Sequence, residues 1–123
     1  MLVIDDEAAI GKTIERVLRD QHEVTVVTSA RDALAELGSA DDYDVIFCDV
    51  VMPSISGIEI YRSIAEAKPE LARRFVFMTA ATFTDESRDF LANLANPSIS
   101  KPFAMDVIRS LVNDRLTKAV GGA

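Results

Sequence analysis

Hydrophobic residues along this chain fall into two alternating patterns. Short unbroken apolar runs at residues 2–4, 45–48 and 75–78 lack polar alternation, which is how strands buried on both faces of a sheet read. Between them the apolar residues take helical spacing. Residues 8–20 set Ile10, Ile14, Val17 and Leu18 on one stripe, and Ala30, Ala33, Leu34 and Leu37 form a second. Residues 57–68 and 85–95 predict the third and fourth helices, and residues 105–118 a fifth through Val107, Ile108, Leu111 and Val112. Two further strands are expected at residues 23–27 and, very short, at 98–100. Punctuation agrees with these limits: Ser29 with Asp32 reads as a capping pair, Gly38 as the stop of the second helix, and Pro69 and Pro97 as stops of the next two.

Five strands alternating with five helices predict an α/β domain, a parallel sheet covered on both faces. The length of 123 residues suits one domain, taken as residues 1–120 with a frayed tail at 121–123. Cys48 is the only cysteine, so no internal disulfide forms and a reducing cytoplasm is the expected setting. No apolar run approaches the roughly 20 residues of a membrane span, so no membrane contact is expected. A net charge of -7 argues against direct nucleic-acid binding, which calls for a basic face.

In open parallel sheets, ligands bind at the carboxyl ends of the strands. There the sequence sets Asp5, Asp6 and Glu7 after the first strand, Asp49 after the third, Thr79 after the fourth and Lys101 after the fifth. Taken singly, such an Asp is usually a turn former, Thr79 a satisfied hydroxyl and Lys101 a solvated charge. Their coincidence at four strand ends favours a site. Like charges about 4 Å apart repel by about 4 kcal/mol at an effective dielectric of 20, so the carboxylates call for a cation. Hard oxygen ligands suit Mg²⁺, whereas Cys48 and His22 are misplaced for zinc. A divalent ion with Lys101 would neutralise an incoming phosphoryl group. Gly11-Lys12-Thr13 ends like a phosphate-binding loop, but Asp6 stands where that motif needs glycine and Lys12 falls inside a predicted helix. His22 is expected to be exposed in a turn, Cys48 and Tyr61 to be core, and Arg73 and Arg74 to be solvated.

VIDDE at residues 3–7, CDVVMPSISG at 48–57, MTA at 78–80 and KPF at 101–103 together resemble the response-regulator receiver family, over nearly the whole chain. The resemblance implies a flavodoxin-like (CheY-like) doubly wound five-stranded parallel sheet of order 2-1-3-4-5 with five helices. It implies reversible phosphate transfer from a phosphohistidine, with Asp49 as phosphoacceptor and Mg²⁺ as cofactor. Asp6, Asp49 and the backbone carbonyl of Val51 would bind the ion directly, Asp5 through water. Thr79 and Lys101 would each engage a phosphoryl oxygen. Lys101-Pro102 would be a cis peptide, and Pro53 and Gly57 would form a turn using backbone flexibility.

The implied partner is a histidine kinase or histidine phosphotransfer domain, docking near this rim through the first helix, with Ile10 and Ile14 split between core and contact. Ser98 stands where the family often carries an aromatic residue that moves with Thr79, so that route of transmission is not implied. Residues 82–103, with a first strand starting at Met1, resemble receivers at the C-terminus of hybrid sensor histidine kinases, which would make the chain a fragment. An aspartyl phosphatase would need an acid where Val51 stands, and a degenerate receiver would lack one of Asp6, Asp49, Thr79 and Lys101. The expectation is a phosphorylation switch with slow self-dephosphorylation and no turnover of outside substrates.

Overall fold

A computed structural model describes residues 1–40, 42–52, 55–80 and 84–121, with side chains as far as residue 116. The expected strands form as β1 (Leu2–Ile4), β2 (Thr25–Val27), β3 (Ile46–Asp49), β4 (Phe75–Thr79) and β5 (Ser98–Ser100). The helices are α1 (Ala8–Leu18), α2 (Ala30–Ser39), α3 (Gly57–Ala67), α4 (Pro69–Ala72), α5 (Asp85–Ala92) and α6 (Met105–Gly121). All strand pairs are parallel, in the order β2-β1-β3-β4-β5. This is the doubly wound flavodoxin-like sheet expected.

Alternation along the strands divides the core in two. Leu2, Ile4, Ile46, Cys48, Phe75 and Phe77 pack with residues of α2, α3 and α4, among them Ala33, Leu37, Ile60 and Ile64. Val3, Phe47, Val76 and Met78 pack on the opposite face with Ile14 and Val17 of α1 and Ile108 and Val112 of α6. Phe47, Phe75 and Phe77 are fully buried, each worth roughly 1.5–3 kcal/mol in removed apolar surface. Because β1 lies between β2 and β3, strand order reverses there, and a crevice opens at the carboxyl ends of β1 and β3.

Several expectations need correction. Six helices lie among the described residues: Pro69 does end α3, but it also opens the short α4, where its missing N–H is no loss. Gly38 does not stop α2, which runs on to Ser39, its last carbonyls held by Lys68 Nζ at 2.8 Å from Leu37 O and 3.2 Å from Gly38 O. His22 is half-buried, beside Leu18, Arg109 and Val112 where α1 ends against α6. Arg74 is not merely solvated, since its Nη1 donates to Tyr43 O at 2.8 Å. Ser29 caps α2 by accepting from the Asp32 N–H, as read. Ile14 is buried and Ile10 only partly so. Pro53, Ala81, Gly122 and Ala123 lie outside the described residues.

Helix α5 buries no residue completely. It attaches through Phe90 and Leu91, with Leu94 just beyond its end; Tyr61 is edge-on to Phe90 at 6.0 Å and Arg62 lies 4.7 Å from the ring centre. Tyr61 also meets Phe75 and Phe77 edge-on, each at 5.5 Å. No helix among the described residues is long and apolar enough to cross a membrane.

Two glycines serve different ends. At Gly11 a Cβ would fall 2.3 Å from Val26 Cγ1, so its absence lets α1 lie close on β2; at Gly38 a Cβ would meet nothing within 4 Å. Gly38 is helical and exposed, with no positive φ. Gly38→Ala is therefore expected to raise unfolding stability by about 0.5–1 kcal/mol, read from urea midpoints at constant m-value.

Candidate functional site

Main-chain pairing aims each side chain of the site. Asp49 is the last residue of β3, paired with Met78, and the next N–H, of Val50, donates to Met78 O at 3.1 Å. Asp5 follows β1, its N–H bonded to Val27 O at 3.2 Å. Thr79 ends β4, and Lys101, just beyond β5, donates its N–H to Thr79 O at 2.7 Å. Asp49 and Thr79 thus belong to their strands, one position deeper in the sheet than expected. The Lys101-Pro102 peptide is cis.

Four predicted residues come together. Lys101 Nζ lies 2.7 Å from Asp5 Oδ2 and 3.1 Å from Asp49 Oδ2. Asp5 is 0% and Asp49 4% exposed, so this is a largely desolvated group of charges. Asp5 Oδ1 accepts the Glu7 N–H at 2.9 Å, and Asp49 Oδ1 the Val51 N–H at 3.3 Å. Asp6 is exposed at the mouth, and carboxylate oxygens of Asp5, Asp6 and Asp49 lie within 4.8 Å of one another.

Thr79 is buried, its hydroxyl donating to Ile99 O at 3.4 Å, on the β5 side rather than to a site carboxylate. Val51 is 54% exposed. Ser98 is exposed, and the ring cluster beside β4 is contributed by α3 and α5.

The electrostatics follow from two buried carboxylates sharing one ammonium. Burial pushes the Asp49 carboxyl from 3.8 up to about 6; the Asp5 charge adds to the rise, and Lys101 and the Val51 N–H oppose it. Burial pulls Lys101 down, but its contacts with Asp5 and Asp49 outweigh this and hold it above the ordinary ammonium value. Asp5 Oδ2 is buried, and the Lys101 ammonium is its partner. An all-oxygen donor set of three carboxylates, with negative charge in surplus over the one ammonium, fits a hard divalent cation.

Two residues pack against the main chain of Asp49. Cys48 is core, as expected, and burial pushes its thiol well above the usual range, but its Sγ also donates to Asp49 O at 3.6 Å. Gly57 does not use backbone freedom: no described glycine has a positive φ, and the residue opens α3 behind the cap Ser56, which accepts from the Glu59 N–H. The Ser-x-x-Glu spacing of residues 56–59 was the signal for that helix start.

Residues 1–113 match the family profile of the response regulator receiver domain, a span that includes every residue of the site. The chain belongs to that family. It is 26% identical over 123 residues to the cell cycle transcriptional regulator CtrA of Caulobacter vibrioides, covering 100% of this chain and 52% of that protein. The response regulator SaeR of Staphylococcus aureus is 26% identical over 119 residues, 96% of this chain and 50% of that protein. The receiver thus spans about half the length of the curated relatives it matches. Among solved structures, a response regulator receiver domain protein from Clostridium thermocellum superposes with a TM-score of 0.85 at 25% identity, covering 99% of this chain and 97% of that one.

The raised Asp49 carboxyl makes metal-free stability depend on pH. Between about 4 and 6 the unfolded chain releases the Asp49 proton while the folded receiver keeps it, so this group's contribution falls as pH rises through that window. Asp49→Asn is expected to melt above wild type at pH 7.5 without divalent ions, with the gap closing towards pH 4. A gap that is constant or widens on acidification contradicts the assignment.

Proposed function

We propose that this receiver accepts a phosphoryl group on Asp49 from a phosphohistidine, borne by a histidine kinase or histidine phosphotransfer domain, with Mg²⁺ as cofactor. Phosphorylation then acts as a switch in two-component signalling. The observation carrying this reading is the meeting of Asp5, Asp6 and Asp49 oxygens within 4.8 Å beside Lys101, in a chain of the receiver family.

In the transfer an Asp49 carboxylate oxygen attacks phosphorus in line, the P–N bond breaks, and its electron pair leaves with the imidazole nitrogen. A carboxyl titrating at about 6 is mainly ionised at neutral pH, as a nucleophile must be. Lys101 takes one phosphoryl oxygen, and Thr79 releases the Ile99 carbonyl to donate its hydroxyl to another. Asp6, Asp49 and the Val51 carbonyl would hold the ion, with Asp5 beside them. When bound, Mg²⁺ neutralises charge on the transferring group. Val51 offers no acid or base for hydrolysis, so the acyl phosphate is lost slowly and the receiver serves as a signalling domain rather than a turnover enzyme.

Partner docking is assigned to the rim and α1, where Ile10 is only partly buried. The cytoplasm is the setting this chemistry suits. Residues 82–103 support a hybrid-kinase setting, while CtrA and SaeR favour a response regulator; the relatives' likeness carries more of the chain, and we prefer the second. Incubation with acetyl phosphate and Mg²⁺ is expected to add one phosphoryl group by intact mass, and Asp49→Asn to add none. A wild-type receiver that gains no mass sinks the proposal.

A further inference from the structure

Gly57 stands where α3 begins, against the main chain of Asp49. Its φ is outside the left-handed region, so any residue could adopt its backbone. Space is what the position lacks. A Cβ there would fall 2.0 Å from Asp49 O, 2.9 Å from Asp49 C and 3.0 Å from Cys48 Sγ. The neighbour at Gly11 is a valine methyl, which can shift, and Gly38 has none. At Gly57 the obstacle is a peptide group locked in the β3–β4 ladder, where the Val50 N–H donates to Met78 O.

The contacts around that carbonyl form a closed set. Gly57 N–H donates to Val50 O at 3.0 Å, drawing the start of α3 back onto the end of β3. Cys48 Sγ reaches Asp49 O at 3.6 Å and Gly57 O at 4.0 Å. The Asp49 carbonyl therefore sits between a side-chain-free glycine and a buried thiol.

We propose that Gly57 and Cys48 form a socket for the Asp49 carbonyl that aims the Asp49 carboxylate, which makes them positioning residues for phosphoryl transfer. The link runs through two successive peptide planes, Asp49–Val50 and Val50–Val51. If the carbonyl is displaced, the Asp49–Val50 peptide rotates and carries the Val51 N–H away from Asp49 Oδ1, where it now donates at 3.3 Å. The carboxylate loses that donor and turns from Lys101 and Asp5. The inference rests on the reading of Asp49 as phosphoacceptor.

The test uses Gly57→Ala in a Gly38→Ala background, with Ile64→Ala, further along the same helix and buried, as a control for lost stability. Two quantities are read: the initial rate of labelling by acetyl phosphate with Mg²⁺, from intact mass, and the shift in melting temperature that Mg²⁺ alone produces. Gly57→Ala is expected to label at least about tenfold more slowly and to lose most of the Mg²⁺ shift. Ile64→Ala should melt lower while keeping both. Labelling by Gly57→Ala at the background rate overturns the socket, as does a loss no greater than that of Ile64→Ala.

If Gly57→Ala yields no folded protein, Cys48→Ala decides. It opens the other wall and should slow labelling severalfold; an unchanged rate overturns the proposal. A wild-type chain that labels with nothing counts against the phosphoacceptor reading instead, and the Mg²⁺ shift then still judges the socket.

Discussion

One ammonium group, Lys101 Nζ, stands between two buried carboxylates, at 2.7 Å from Asp5 and 3.1 Å from Asp49. Desolvating these charges is costly, and a buried ion pair is retained only when its remaining lone pairs also find donors. Here the main chain supplies them, through the N–H groups of Glu7 and Val51. Even so the balance stays negative, because Asp5 and Asp49 share the single ammonium. The edge of the sheet is held one positive charge short. That shortfall is the electrostatic ground on which the proposed cation and phosphoryl chemistry rests.

Such a cluster can exist only on a rigid frame. Strands β1, β3 and β4 are apolar on both faces, so each alternate residue is anchored in one of two cores. The ladder then fixes where each strand's final side chain emerges. Phe47, Phe75 and Phe77 are therefore as much a part of the site's geometry as the carboxylates, although none touches it.

Much of this was legible in the sequence because it depends on local rules. Unbroken apolar runs gave three of the five strands, helical spacing gave five of the six helices among the described residues, and the rule that ligands bind at strand ends selected Asp5, Asp6, Asp49, Thr79 and Lys101. What escaped depends on contacts between distant segments. The extension of α2 past Gly38 needs Lys68, which lies beyond β3 in the chain. Half-burial of His22 needs α6, and the bond from Arg74 needs Tyr43. The meaning of Gly57 was misread for the same reason: a glycine beside a turn suggests conformational freedom, while its real constraint is a carbonyl on another element.

The attachment of α5 has a thermodynamic corollary. Most elements are tied to the sheet by fully buried side chains, but α5 is held by ring edges and the face of Phe90 under Arg62. Apolar and cation–π contacts of this kind have shallow, weakly directional wells, and sliding across them strands no buried donor. Helix α5 therefore lies at the low end of the molecule's spectrum of opening free energies. The local cost of re-seating that helix is set in large part by a tyrosine and an arginine of α3.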